Sequence, residues 1–168
     1  SYSEGSNYEK LANIYLYNLS NNDEAFKAIT NAFLAYKARG HYSFAINSVI
    51  KISAIFLEKA EQDYSERCFT QAHEFIIKCI GVLTSDKEIS IDYVYRAEIA
   101  LASLLIVQSK FTEAIKVCED FLRVMNDRED NKSLLVKYYG LIAICYILLE
   151  QNEKAEKVFS NVEDFSIN

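Results

Sequence analysis

Apolar residues return at three- and four-residue spacing along almost the whole chain, as in Ile46, Val49, Ile50 and Leu57, or Ile115, Cys118, Phe121, Leu122 and Met125. That period is the period of the α-helix, and no stretch alternates every second residue over the length of a strand. Polar clusters that suit helix caps interrupt the pattern: Ser20-Asn21-Asn22-Asp23, Arg39-Gly40-His41, Thr84-Ser85-Asp86, Ser109-Lys110, Asn126 to Ser133, and Gln151-Asn152. Gly40 fits the left-handed position after a helix, and Ser90 and Ser133 fit N-caps. The breaks predict helices over residues 8–20, 23–38, 42–60, 63–83, 91–108, 111–126, 133–149 and 152–164. Joints this short make neighbouring helices antiparallel.

The second helices of the pairs open alike, Asp23-Glu24-Ala25, Phe111-Thr112-Glu113-Ala114 and Asn152-Glu153-Lys154-Ala155. With Cys68 in the same role, the landmarks Ala25, Cys68, Ala114 and Ala155 are spaced 43, 46 and 41 residues apart. The first helices carry matching small residues, Ala12, Ser53, Ala102 and Ala143, each followed three residues later by Tyr15, Phe56, Leu105 or Tyr146. Small residues let two helices approach while the large ones fill the groove beside them. Gly140, one turn before Ala143, is expected to serve the same close packing. A loose period above 40 residues changes the expected fold from a closed bundle to an all-α solenoid of about four antiparallel helix pairs.

Composition fits this reading. The 168 residues contain no proline and four glycines, so the punctuation that strands and hairpins need is missing. The length suits a single helical-repeat domain over residues 8–168. Residues 1–7 are polar and hold no methionine and no apolar leader segment; they are expected to be a disordered scar or the start of a fragment. Apolar runs such as Ile99 to Val107 and Leu141 to Leu149 are about half the roughly 20 residues needed to cross a bilayer. No transmembrane segment is expected, and membrane association would be peripheral, through partners.

Charge narrows the partners. Eighteen basic against 24 acidic residues give −6, which disfavours broad nucleic-acid binding because phosphate neutralisation needs clustered Lys and Arg. Up to Thr84 the count is 8 basic and 9 acidic, or −1, and the rest holds 10 and 15, or −5. Cys68, Cys79, Cys118 and Cys145 are widely spaced among apolar residues without a CxxC pair. In one straight helix Cys68 and Cys79 would be roughly 16 Å apart, too far for a disulfide. Buried free thiols and a reducing, cytoplasmic setting follow.

Candidate chemistry is sparse. His41 and His73 have no cysteine or histidine at i+3 or i+4, so no metal site is expected. Carboxylate pairs such as Glu119-Asp120 and Glu129-Asp130 fall at solvated positions, where nothing tunes a general acid or base. No glycine-rich phosphate loop exists, and no cofactor or enzymatic activity is expected. Twelve tyrosines include Tyr15/Tyr17 and Tyr138/Tyr139, pairs of which both members cannot face the core. Some tyrosine is therefore exposed, which suits either a protein-binding surface or partial burial with the hydroxyl in water.

Phe111, Ala114 and Phe121 after Ala102 resemble the tetratricopeptide pattern of a small residue early in both helices. The period, longer than the usual 34, together with Arg39-Gly40-His41-Tyr42-Ser43-Phe44-Ala45, Lys51-Ile52-Ser53-Ala54-Ile55-Phe56, Ser133 to Tyr138 and Asp164-Phe165-Ser166, resembles the soluble NSF-attachment proteins. The resemblance implies an adaptor whose basic concave face grips an acidic helical bundle during disassembly of membrane-fusion complexes in vesicle transport. Carried over by position, Arg96 keeps a basic residue, whereas His41, Asn47 and Ala100 stand where lysine or arginine is expected. Lys51 and Lys137, on first helices of neighbouring pairs, are further candidate partner-binding residues. The region with which that family engages its ATPase has no counterpart up to Asn168, so ATPase stimulation is not expected of this chain. Two other readings stay open: a regulatory domain holding a peptide or small ligand in its groove, and a structural subunit of a larger assembly.

Overall fold

In a computed structural model the backbone is described for residues 2–63, 66–85, 89–125 and 132–166, with side chains left out at some of these. All regular structure among the described residues is helical: α1 (Tyr2–Asn13), continued by a π-helical turn (Ile14–Asn18), α2 (Asn22–Lys37), α3 (Tyr42–Asp63), α4 (Glu66–Thr84), α5 (Ile91–Val107), α6 (Phe111–Met125), α7 (Lys132–Leu148) and α8 (Asn152–Ser166). The chain divides into two compact units, Ser1–Ala100 and Leu101–Asn168, with the division inside α5.

The expected helix limits agree with these to within about three residues except at the start, where α1 begins at Tyr2 rather than at residue 8. Its first turns are tied to the end of α2. Gly5 is buried against the Tyr36 ring, and Glu4 lies 3.6 Å from the Arg39 guanidinium. A glycine there reads as a break in sequence but in space admits the ring.

One turn recurs. In the joints after α2, α5 and α7, a residue with positive φ ends the helix: Gly40 (72°), Ser109 (59°) and Glu150 (59°). Tyr36, Leu105 and Tyr146 each accept at 2.9 Å from the amide five residues on, and Lys37, Ile106 and Ile147 from the amide three residues on. This is the Schellman arrangement, which satisfies carbonyls that the helix end would orphan. Ser20 (φ 49°) has the same role after the π turn, where Asn21 N–H donates to Tyr15 O at 2.8 Å. Five residues after each left-handed residue stands a buried alanine: Ala25, Ala45, Ala114 and Ala155. Each donates the first bond of its helix, to Asn21, His41, Lys110 and Gln151. The small side chain lies where the new helix doubles back onto the old one, the place where a larger one would hold the backbones apart.

In the first unit α2 packs on α1 and α3, and α3 on α4. Helices two apart in sequence also meet, and they run in the same sense. Asp23 on α2 accepts from Arg67 and Gln71 on α4, and one turn further Phe26 meets Phe75 edge-on, ring centres 5.0 Å apart. On the other side Ser43 and Asn47 of α3 bond Tyr93 and Arg96 of α5. Ala12, Phe33, Tyr36, Ile46, Val49 and Tyr95 are buried between these layers.

In the second unit α7 packs on both α6 and α8. The Phe121 and Tyr138 rings stack at 5.4 Å and 12°, and Ala102, Ala114 and Ala143 are fully buried, as their assignment as small contact residues requires. Gly140 differs from expectation. A methyl group added to it would meet nothing within 4 Å, so it does not serve close packing; Gly5, 2.5 Å from the Tyr36 ring by the same measure, does. The side chains of Ser53, Phe56 and Cys68, three of the small-and-large landmarks, and those of Asp164 to Ser166 lie outside the described residues.

Candidate functional site

The outward face shared by α3 and α5 carries two of the three candidate residues. On α3, Ala45, Ile46 and Val49 turn inward and leave Ser43, Asn47, Ile50 and Lys51 exposed. On α5, Val94, Tyr95 and Ala97 turn inward and leave Asp92 and Arg96 exposed, with Tyr93 half-buried. The two helices are joined on this face by polar bonds. Ser43 Oγ and Tyr93 Oη lie 3.0 Å apart, the Tyr42 and Tyr93 rings 6.0 Å apart, and Arg96 Nη2 donates to Asn47 Oδ1 at 3.2 Å.

Asn47 therefore does two things. It stands where the family resemblance implies a basic residue, and it carries no charge; its carbonyl instead holds the guanidinium of Arg96 over α3. Lys51 follows Asn47 by one turn on the same face of α3, so the two helices joined by the Asn47–Arg96 bond each carry an exposed basic residue. Arg96 is exposed and gives one N–H to Asn47, which leaves further donors of its guanidinium for a partner. Lys137 is exposed on α7, in the second unit. Of the other positions the resemblance implied as basic, His41 is exposed and stands edge-on to Phe44 at 6.3 Å. Ala100 is half-buried on α5.

The edge of this face is also built from polar bonds. Ser48, fully buried, donates to Glu9 Oε1 of α1 at 2.7 Å and lies 3.1 Å from the Phe44 carbonyl, so α1 is pinned to α3. Phe44, 40% exposed, stacks on Tyr36 at 5.6 Å and 29°. An exposed aromatic on the helix that also carries Lys51 gives α3 both apolar and charged groups to offer.

The first unit also has an open groove between α2 and α4, lined by Asp23, Lys27, Thr30, Gln71, Glu74 and Lys78. Its charges largely answer one another. Asp23 holds Arg67 and Gln71, and Lys27 is hydrogen-bonded to Glu24, whose carboxylate pushes the lysine pKa up. Sequence reasoning missed this groove, because the ties from Asp23 to Arg67 and Gln71 span 44 and 48 residues and no local spacing announces them.

Among the described residues no three His, Cys, Asp or Glu side chains gather in a way that could hold a metal ion. Cys79, Cys118 and Cys145 are buried, and burial pushes the Cys79 and Cys145 thiols up, away from the reactive thiolate. No helix among the described residues is long and apolar enough to cross a membrane. Half the tyrosine reading is resolved residue by residue: Tyr17 is 62% exposed and Tyr138 fully buried, while Tyr15 and Tyr139 are half-buried. No protein-family model matches the chain, and no curated protein matches it either.

Proposed function

We propose that this chain is a non-enzymatic, cytoplasmic, protein-binding adaptor, a tetratricopeptide-like solenoid of antiparallel helix pairs similar in plan to the soluble NSF-attachment proteins. The α3/α5 face holds a helical or extended acidic segment of its partner. The single observation that carries the reading is the Asn47 to Arg96 bond, which fixes a guanidinium across two neighbouring helices, with Lys51 exposed one turn beyond Asn47 on α3. The like-directed pairs α3/α5 and α2/α4, and the fourfold recurrence of a left-handed residue five positions before a buried alanine, support a repeated helix-pair unit.

Affinity capture from cells with the wild-type chain and with the Lys51→Glu/Arg96→Glu variant tests this. The expected result is a protein set recovered by the wild type and lost by the variant at equal helical content. Identical recoveries would overturn the assignment of this face. The regulatory alternative, a peptide held in the polar groove between α2 and α4, is favoured by that groove's mixture of donors and acceptors. It requires capture to be lost on Gln71→Ala instead.

A further inference from the structure

The helix α7 is apolar around most of its circumference, with Lys132, Ser133 and Lys137 in its first half as its polar side chains. It turns Leu135, Tyr138, Ile142 and Cys145 into the second unit, yet Val136, Ile144, Ile147 and Leu148 on its outer side are 39, 46, 48 and 50% exposed. A helix of this kind is ordinarily covered all round. Val136, Gly140, Ile144 and Ile147 follow one another at spacings of four, four and three, so they share one stripe. Gly140 is the middle of that stripe and a notch in it, with open space where a side chain would stand.

We propose that a second copy of this chain covers the stripe, with the two α7 helices crossing antiparallel about a twofold axis at Gly140. The symmetry of the stripe argues for the occupant. Val136 and Ile144 are each four residues from Gly140, so antiparallel pairing about that point sets Val136 of each copy against Ile144 of the other, with the glycine notch letting the backbones close. Charge fixes the direction. Lys132 is exposed at the start of α7 and Glu150 is exposed just beyond its end, roughly 27 Å away along the axis. Antiparallel pairing brings Lys132 of each copy to Glu150 of the other, while parallel pairing would set like charges together. One helix face is smaller than the roughly 800 Å² per partner of a standard interface, so the dimer forms in a concentration-dependent equilibrium.

Sedimentation equilibrium of the full chain over a wide concentration range tests the proposal. The expected mass moves from monomer toward dimer as concentration rises. Ile144→Glu, on the exposed face, is expected to weaken dimerisation by about tenfold or more, because it puts an unpaired charge into an apolar contact. Circular dichroism checks that its helix content is unchanged. The charge variants provide an independent arm: Lys132→Glu and Glu150→Lys each weaken the dimer, and the two together restore it. A chain that remains monomeric up to its solubility limit overturns the proposal, as does a dimer indifferent to Ile144→Glu. A double charge variant as weak as the single ones overturns the antiparallel pairing.

Discussion

At Gly5 an added methyl would come within 2.5 to 2.7 Å of three atoms of the Tyr36 ring, and at Gly140 it would meet nothing within 4 Å. The two glycines therefore respond in opposite directions. Gly5→Ala is expected to destabilise by about 1 to 3 kcal/mol, because the ring is buried and cannot swing away freely. Gly140→Ala is expected to stabilise the monomer by about 0.5 to 1 kcal/mol, from helix propensity alone. Thermal or urea unfolding at low protein concentration reads both; a loss on Gly140→Ala would restore its role in intramolecular packing. In sequence Gly5 stands in the polar segment before the first expected helix and Gly140 inside a helical run, so the one that meets a buried ring is the one the pattern left out of the helices.

The thiols give a residue-scale pH signature. Burial holds the Cys79 and Cys145 thiols above their ordinary range, so the native state keeps protons that the unfolded chain gives up. Their contribution is fully present below the unfolded thiol value of about 8.5 and is lost as pH rises through the folded value. Stability is expected to fall more steeply above about pH 8.5 in the wild type than in Cys79→Ala, by up to about 1.4 kcal/mol per pH unit. Parallel slopes for the two proteins would show that this thiol titrates alike in both states. That the thiols are buried was legible from their apolar neighbours in the chain.

At the scale of elements the repeated joint carries the most information. Ser109 and Glu150 adopt positive φ in a turn where Gly40 is the unstrained residue. Glu150→Gly is accordingly expected to stabilise by about 0.5 to 1 kcal/mol, a gain visible as a raised unfolding midpoint; a lower midpoint would mean that the glutamate side chain contributes more than the strain costs. Substituting the fully buried Ala102 or Ala143 by Leu is expected to cost about 1 to 3 kcal/mol each. Unchanged unfolding in both variants would place these alanines outside the helix contacts.

Helix limits from α2 onward were legible because each joint carries its own punctuation, Asn21 accepting from Glu24 at 3.2 Å, Gly40 with its positive φ, and the polar residues around Ser109 and Gln151. The start of α1 and the π-helical turn at Ile14–Asn18 were not, since Gly5 resembles a break and nothing in Ile-Tyr-Leu-Tyr-Asn distinguishes a widened turn from an ordinary one. The fixed distance from left-handed residue to buried alanine emerges only once φ is known, because Ser20, Gly40, Ser109 and Glu150 share no residue type that would mark them.

At the scale of the molecule the net charge of −6 makes every cluster of basic side chains informative. Arg96 and Lys51, exposed on the two joined helices α3 and α5, are such side chains, and Arg96 was a candidate because the family resemblance implies a basic residue at its position. What the sequence did not disclose was its tie to Asn47, which spans 49 residues and makes an uncharged residue part of the basic face. Lys137, grouped with the other two by helix position, is exposed on α7 in the second unit.

The most direct measurement titrates the chain against an acidic four-helix bundle at two salt concentrations, comparing the wild type with Arg96→Glu. Exposed charges act mainly on association and are screened as salt rises. The expected result is binding by the wild type that weakens with salt, and slower, less salt-dependent association by Arg96→Glu with its helix content unchanged. Superimposable curves for the two proteins at both salt concentrations would contradict a binding role for the α3/α5 face.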